Sequence, residues 1–174
     1  MSGSLTLALS RAMENDDFVL AMERAAGRFQ EYRARLPVIP YAYTRTRLID
    51  LPDFEVVAMH WAPGSISPIH DHGLSRCWVL LMEGSLEVEN FERESAPDTN
   101  PVELRETGRL TLRAGDLDHR LGPSELHRVC NPSREGTYSL QLYARPIDEY
   151  RVIDEHTRHS RIVRAISDLE LPLQ

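Results

Sequence analysis

The feature that most constrains the fold of this chain is a series of short segments, between residues 41 and 146, in which apolar and polar residues alternate. Alternation of period two is typical of β-strands that bury one face, because successive side chains point to opposite sides of a sheet. Turn sequences such as Ala62-Pro63-Gly64 separate the segments. The predicted strands are residues 43–49, 55–61, 76–82, 85–91, 110–112, 127–130 and 137–143. This spacing predicts a mainly β, antiparallel barrel or sandwich.

The two ends of the chain have different patterns. Residues 4–35 are predicted to be helical, because apolar residues recur there at roughly helical spacing. Asp16 or Asp17 is expected to cap the later part of this segment, and Pro37 and Pro40 to end it. After Pro146 the chain is polar, and residues 148–151 and 160–169 fit either helix or late strand.

Length and composition favour a single domain. A chain of 174 residues, 41% of them hydrophobic, is long enough to bury one core. We therefore predict one domain over residues 1–174, with a helical N-terminal cap at 1–36, a β-barrel core at 41–146 and a C-terminal extension at 147–174.

Charge and hydropathy argue against several kinds of partner. The net charge of -7 leaves no basic stripe for phosphates, so no nucleic-acid partner is expected. No apolar run approaches the ~20 residues of a membrane span, and the N-terminus does not resemble a signal peptide. Two cysteines, Cys77 and Cys130, are too few for a disulfide scaffold. The expected protein is a cytoplasmic monomer without a membrane partner.

Three histidines in strand-like segments form a candidate metal site. His70 and His72 are two residues apart, so on one strand they project from the same face. His127, in the segment Leu126-His127-Arg128-Val129, offers a third imidazole from another strand. Three neutral imidazoles at a barrel mouth suit a first-row transition metal. The sequence therefore predicts a metalloenzyme site.

The other polar and aromatic residues near these segments are predicted to be structural. Asp71 lies between two ligands and points to the opposite face, where it is expected to form hydrogen bonds. Cys130 is expected to be a buried thiol. The remaining histidines lack ligand spacing and are predicted not to bind metal; they are His60, His119, His156 and His159. The two tryptophans are expected in the core; they are Trp61 and Trp78.

The spacing of glycines and histidines resembles the two cupin motifs. Gly64, followed after five residues by His70-x-His72 and later by Gly84, is similar to the first motif, with Cys77 where that motif has a glutamate. The second motif is similar to Gly115 … His127-x-x-x-Asn131, with an insertion of one residue. This resemblance implies a cupin double-stranded β-helix, a jelly-roll barrel, with an N-terminal helical segment.

A closer resemblance is to the cysteine dioxygenase family of thiol dioxygenases. It is carried by Ser67-Pro-Ile-His-Asp-His-Gly-Leu-Ser-Arg-Cys77-Trp, Leu81-Met-Glu-Gly84-x-Leu86, Leu126-His127-Arg-Val129, Ser139-Leu-Gln-Leu-Tyr143 and Tyr41-Ala-Tyr43-Thr44-Arg45. The matching residues span about 41–146. The resemblance implies an Fe(II) enzyme that converts a small thiol, L-cysteine by default, to its sulfinate with O2. Zinc tolerates the same three ligands, and only the resemblance favours iron.

The family resemblance also implies roles for single residues. Arg45 is in the position of the arginine that pairs with the substrate carboxylate, and Tyr43 adds a hydrogen bond to the substrate. Cys77 and Tyr143 are in the positions of a thioether crosslink, so both partners for that bond are present. The Tyr143 hydroxyl is expected near the metal, where it steers O2 or the bound thiolate.

One residue departs from the family pattern. Gln141 stands where the family usually has a histidine that hydrogen-bonds to the tyrosine. Glutamine can hold the phenol but cannot titrate near neutral pH. Two alternatives therefore remain open beside cysteine oxidation. One is a dioxygenase for another mercapto acid such as 3-mercaptopropionate, and the other is a metal-binding cupin without catalysis.

Overall fold

A computed structural model describes residues 15–122 and 125–172 of the chain. The early part of the predicted helical segment, residues 4–14, lies outside these residues. Within the described residues, no helix is both long enough and apolar enough to cross a membrane.

Within the described residues, two short helices precede the strands. Helix α1 spans Asp16–Gly27 and helix α2 spans Phe29–Arg33. The N-cap of α1 is Asn15, whose side chain accepts a hydrogen bond from the Asp17 N–H. The prediction of Asp16 or Asp17 as the cap is therefore wrong by one or two residues; both lie in the first turn, where the helix dipole favours negative charge.

Twelve strands follow in the part of the chain that the structure describes, and they include every strand predicted from the alternation. They are β1 Tyr43–Leu51, β2 Phe54–Trp61, β3 Ile69–His70, β4 Arg76–Glu83, β5 Ser85–Arg93, β6 Leu104–Arg113, β7 Leu117–Arg120, β8 Leu126–Cys130, β9 Thr137–Ala144, β10 Glu149–Ile153, β11 Ser160–Arg164 and β12 Leu169–Glu170. The segment after Pro146, which fitted helix or strand, forms strands. Strand β6 is longer than the predicted 110–112. The alternation of apolar residues did not reveal its first part, because most of the strand is polar and half-exposed or exposed.

The strands form two six-stranded sheets. The first has the order β12-β1-β2-β9-β4-β7, and the second has the order β11-β10-β3-β8-β5-β6. Neighbouring strands pair antiparallel except for the short parallel contact between β12 and β1. The C-terminal strands thus extend both sheets, since β10 pairs with β3 and β12 with β1.

Two apolar clusters account for the positions of helices and sheets. Alternate residues of β2, such as Val56 and Ala58, pack with the helices on the outer face of the first sheet. The intervening residues, Val57 and Met59, belong to a second cluster that includes side chains from both sheets. The buried residues of both clusters are almost inaccessible to solvent. The predicted core residues Trp78 and Trp61 are buried, one in each cluster, which confirms their assignment.

Candidate metal centre

The three predicted histidine ligands come together in one place. His70 on β3 is directly opposite His127 on β8 in the strand register. One ring nitrogen from each of His70, His72 and His127 lies within 4.8 Å of the others. Strand β3 ends at His70, so the prediction that His72 lies on the same strand is wrong. The chain beyond the strand still places the His72 ring 4.9 Å from that of His127, centroid to centroid.

The unused ring nitrogens of this cluster suit a cation. His70 uses Nδ1 to contact the Pro68 carbonyl at 2.9 Å, which leaves its Nε2 for another partner. The Nδ1 atom of His72 and both ring nitrogens of His127 are buried and have no hydrogen-bond partner in the protein. Buried polar atoms are rarely left without a partner in native proteins. A first-row transition metal bound to imidazole nitrogen fits this donor set.

Burial keeps these imidazoles in the form that binds metals. It lowers the pKa of His70, and it lowers the pKa values of His72 and His127 well below the ordinary value, with the neighbouring histidines adding to the shift. A neutral imidazole has a free lone pair, whereas an imidazolium ion has none. Within the described part of the chain, no other set of three or more His, Cys, Asp or Glu side chains converges in this way.

The residues predicted to be structural lie away from this cluster or are hydrogen-bonded. Asp71 Oδ1 accepts hydrogen bonds from the Gly73 and Arg151 N–H groups at 2.9 and 2.8 Å, in agreement with its predicted role. His119 is exposed on β7, away from this cluster. Cys130 was expected to be buried but is only half-buried, because β8 turns its side chain toward Glu87 on β5.

Cys77, Tyr143 and Gln141 form a buried group next to the histidines. Cys77 on β4 is directly opposite Tyr143 on β9 in the strand register, and both side chains are buried. The Tyr143 hydroxyl donates a hydrogen bond to Gln141 Oε1. Burial raises the pKa of the Cys77 thiol and of the Tyr143 phenol, so both groups stay protonated near neutral pH. The Tyr143 ring is 5.8 Å from the His72 ring, centroid to centroid.

Arg45 lines the same pocket from β1. Its side chain is only 11% exposed, and Nη2 contacts Glu55 Oε1 at 3.3 Å. The Arg45 Nε–H is buried and has no hydrogen-bond partner in the protein. Because its side chain is nearly buried, Arg45 is not part of a surface ion pair. Arg47 is more exposed and forms ion pairs with Asp50 and Glu170.

Tyr43 also lines the pocket and is held by aromatic neighbours. Its ring lies 4.9 Å from the Trp61 ring, centroid to centroid, and Tyr150 lines the same pocket. Burial raises the pKa of Tyr43 to about 12. The phenol is therefore a neutral hydrogen-bonding group at neutral pH.

The sequence interpretation missed two polar residues of this region. Glu55 is fully buried, bridges Arg45 and Arg47, and accepts a hydrogen bond from the Ile147 N–H at 3.1 Å. The period-two pattern of β2 places Glu55 on the same face as Val57, so its burial could have been predicted. Tyr150 lines the pocket beside His70, but it follows the predicted end of the barrel and gave no such signal.

Residues 8–156 match the family described as Cysteine dioxygenase type I. The chain belongs to the cysteine dioxygenase family. Cysteine dioxygenase type 1 of Rattus norvegicus is 34% identical over 126 residues, which cover 71% of this chain and 61% of the rat protein. The Homo sapiens protein of that name is 31% identical over 159 residues, which cover 90% of this chain and 72% of the human protein.

The match to these cysteine dioxygenases is partial in length, since it spans only 61% of the rat protein. Solved structures support the fold. A Klebsiella pneumoniae protein with a double-stranded β-helix domain has a TM-score of 0.52 and 19% identity, covering 72% of this chain and 94% of that chain. At this identity the similarity concerns the fold alone. It confirms the predicted mainly β, double-stranded β-helix with a short N-terminal helical segment.

Proposed function

We propose that this protein is an iron-dependent thiol dioxygenase that adds both atoms of O2 to the sulfur of a small thiol carboxylate, giving a sulfinate. L-Cysteine is the default substrate. The observation that carries the proposal is one buried pocket with two kinds of unused group. Three histidines and Arg45 line the same pocket, where ring nitrogens of His72 and His127 and the Arg45 Nε–H are buried without a hydrogen-bond partner. Membership of the cysteine dioxygenase family supports this interpretation.

His70, His72 and His127 would hold the metal. A bound ferrous ion would supply the positive charge and open positions at which a thiolate and O2 react. Because all three ligands are neutral, the protein adds no negative charge there, and an anionic sulfur is attracted to the site. The low pKa values of His72 and His127 keep both rings available for this role near neutral pH.

The opposite side of the pocket would bind and orient the substrate. The Arg45 guanidinium has a buried Nε–H without a partner, and a carboxylate is the acceptor that its geometry fits. The neutral Tyr43 phenol adds a hydrogen bond beside it. Fixing the carboxylate on Arg45 aims the other end of the thiol at the three histidines, so positioning reduces the entropic cost of the reaction.

Tyr143 and Gln141 would act together beside the reacting sulfur. The Tyr143 hydroxyl donates a hydrogen bond to Gln141 Oε1. Its oxygen lone pairs can therefore accept a hydrogen bond from the substrate. Met59, Trp61 and Ile147 line the same pocket and exclude water from it. Exclusion of water strengthens the attraction between the substrate anion and the cationic groups.

We also propose a thioether bond between Cys77 and Tyr143. Their facing register positions and the burial of both side chains support it. Its formation removes one hydrogen from the thiol and one from the phenol ring, and O2 is the two-electron oxidant. After aerobic incubation with iron, the intact mass should fall by two hydrogen atoms, and C77S protein should show no such loss.

Oxygen consumption by protein loaded anaerobically with Fe(II) tests the main proposal. With L-cysteine, we expect O2 uptake that matches the sulfinate formed, and H127A protein should show none. The exposed His119→Ala variant is the matched control and should keep the activity. Metal binding without O2 uptake, with cysteine and 3-mercaptopropionate alike, would contradict the enzyme proposal and favour a non-catalytic cupin.

Gln141 supports a second substrate, 3-mercaptopropionate. A carboxamide replaces the imidazole usual in the family and holds the Tyr143 proton without titrating near neutral pH. A mercapto acid without an amino group also needs only the carboxylate contact with Arg45. The ratio of kcat/KM for the two thiols decides between them.

The oligomeric state, the cellular compartment and the partners of the enzyme are also part of the proposal. We propose a cytoplasmic monomer whose partners are the thiol and O2, without nucleic acid or membrane. Sedimentation of the full chain tests the oligomeric state, and fractionation of cells tests the compartment.

A further inference from the structure

The C-terminal segment, residues 160–171, connects the two sides of the proposed active site. We call it the C-terminal strap. It begins as β11, which pairs with β10, and β10 in turn pairs with β3 at His70. It ends as β12, which pairs with β1 on the opposite sheet. The strap therefore runs from the strands beside a metal ligand to the strand that carries Arg45.

The strap contacts the backbone of Arg45 itself. The Asp168 N–H donates to the Arg45 carbonyl at 2.8 Å, and the Arg45 N–H donates to Asp168 Oδ2 at 2.8 Å. Asp168 thus satisfies both backbone groups of the residue that lines the pocket. The next backbone contact along the strap is from the Leu171 N–H to the Arg47 carbonyl, also at 2.8 Å.

The Asp168 side chain accepts the backbone hydrogen bond that a neighbouring strand would otherwise accept from Arg45. Strand β12 is only two residues long, and its register begins at Thr46, opposite Leu169. Without Asp168, the N–H and C=O of Arg45 on this side would lie at an open sheet edge. Met59 on β2 pairs with Arg45 from the other side. Arg45 is therefore fixed between β2 and the strap.

We propose that Asp168 is a positioning residue for substrate binding. By accepting the Arg45 N–H it fixes the backbone from which the guanidinium reaches the substrate carboxylate. This inference rests on the proposed role of Arg45 in binding that carboxylate. A binding group must be held to within about half an ångström to act well, and a single hydrogen bond on its backbone contributes to that precision.

Three variants separate positioning from general stabilisation. Asp168→Ala removes the acceptor. Asp168→Asn keeps an acceptor oxygen without the charge, and Glu170→Ala removes an exposed carboxylate from the same strap. Because Asp168 is exposed, the core is intact in all three. They are compared by O2 consumption with 3-mercaptopropionate, and by the inhibition constant of cysteamine, which has a thiol but no carboxylate.

The expected result is a selective rise in KM. Loss of one net hydrogen bond corresponds to roughly fivefold, so D168A should raise KM for 3-mercaptopropionate by about fivefold with little change in kcat. The cysteamine constant should stay unchanged, and D168N and E170A should behave like the wild type. Equal changes for both thiols would show a general loosening, and a wild-type KM in D168A, or the D168A defect in D168N, would overturn the proposal.

Amide hydrogen exchange tests the same contact without catalysis. The Arg45 amide should be protected in wild-type and D168N protein and should exchange faster in D168A, while the Met59 amide should not change. If no variant changes Arg45 exchange, the inference about Asp168 fails. If exchange behaves as expected but the wild type oxidises no thiol, the proposed enzyme function fails and the contact with Arg45 stands.

Discussion

At one end of the buried pocket, three imidazoles present ring nitrogens that have no partner in the protein, whereas behind the other end the charges of Arg45, Glu55 and Arg47 are paired with one another. The two ends are about equally buried. They differ in how the protein compensates its own polar groups. At the histidine end compensation must come from outside, while at the arginine end Glu55 forms ion pairs with both guanidinium groups and the Arg45 Nε–H has no partner.

This difference indicates what each end is for. Burying an uncharged imidazole without a partner costs much less free energy than burying an ion, so the histidine end can be stable before a cation binds. A buried guanidinium without a counter-charge would destabilise the fold, and Glu55 provides that counter-charge. Under the proposed function, the Nε–H of Arg45 that has no partner would bind the substrate carboxylate. The comparison can be tested by removing groups from each end.

The largest expected effect is loss of metal on removal of a histidine. H127A should weaken metal affinity by on the order of 10³-fold, because removing one ligand forfeits a large share of a binding free energy of about 10 to 16 kcal/mol in structural sites. The His119→Ala variant should bind metal like the wild type. Equilibrium dialysis measures both. Equal metal content in the two variants would break the comparison at the histidine end.

At the arginine end, removal of a charge should destabilise the fold. E55Q leaves Arg45 and Arg47 buried or half-buried without their shared carboxylate, and we expect a loss of about 3 kcal/mol in the free energy of unfolding. The matched control is E92Q, which breaks an exposed pair with Arg105. It should cost less than about 1 kcal/mol. Urea unfolding measures both, and similar costs would show that Glu55 is not needed for charge balance.

The histidine end should also respond to pH. Burial lowers the folded-state pKa values of His70, His72 and His127, so their stabilising contribution is full above an unfolded pKa of about 6.5 and is lost as pH falls through the folded values. Metal-free protein should lose on the order of 2 kcal/mol between about pH 7.5 and about pH 5.5. The guanidiniums do not titrate there.

Urea unfolding at the two pH values measures this loss. H127A should show a smaller pH dependence than the wild type, because one buried imidazole is gone. H119A, which removes an exposed histidine, should show the wild-type dependence. An H127A protein with the full dependence would mean that other groups cause the loss.

The sequence predicted the two ends unequally. The histidines could be found because their spacing and the strand pattern are local signals, and the family motifs around them are dense. Even so, the sequence put His72 on a strand that ends at His70, because alternation does not reveal where a two-residue strand stops.

The parts that the sequence missed depend on contacts between distant residues. Tyr150 and Asp168 lie far along the chain from the residues that they contact, His70 and Arg45. The segment after Pro146 was ambiguous because β11 and β12 are short and mostly exposed. Their pairing with β10 and β1 arises only when the two sheets form, so no local pattern could show that the strap reaches Arg45.

The smallest expected effect concerns the hydrogen bond that the Tyr143 hydroxyl donates to Gln141 in the same pocket. A double-mutant cycle with Tyr143→Phe and Gln141→Met measures this contact, because methionine has a similar length and no amide. We expect a coupling free energy of about 1 kcal/mol in unfolding, the usual net value of one hydrogen bond. Additive effects would mean that the two groups act independently. In that case, Gln141 could not alter the reaction through the Tyr143 hydroxyl, and the argument for 3-mercaptopropionate would lose its structural basis.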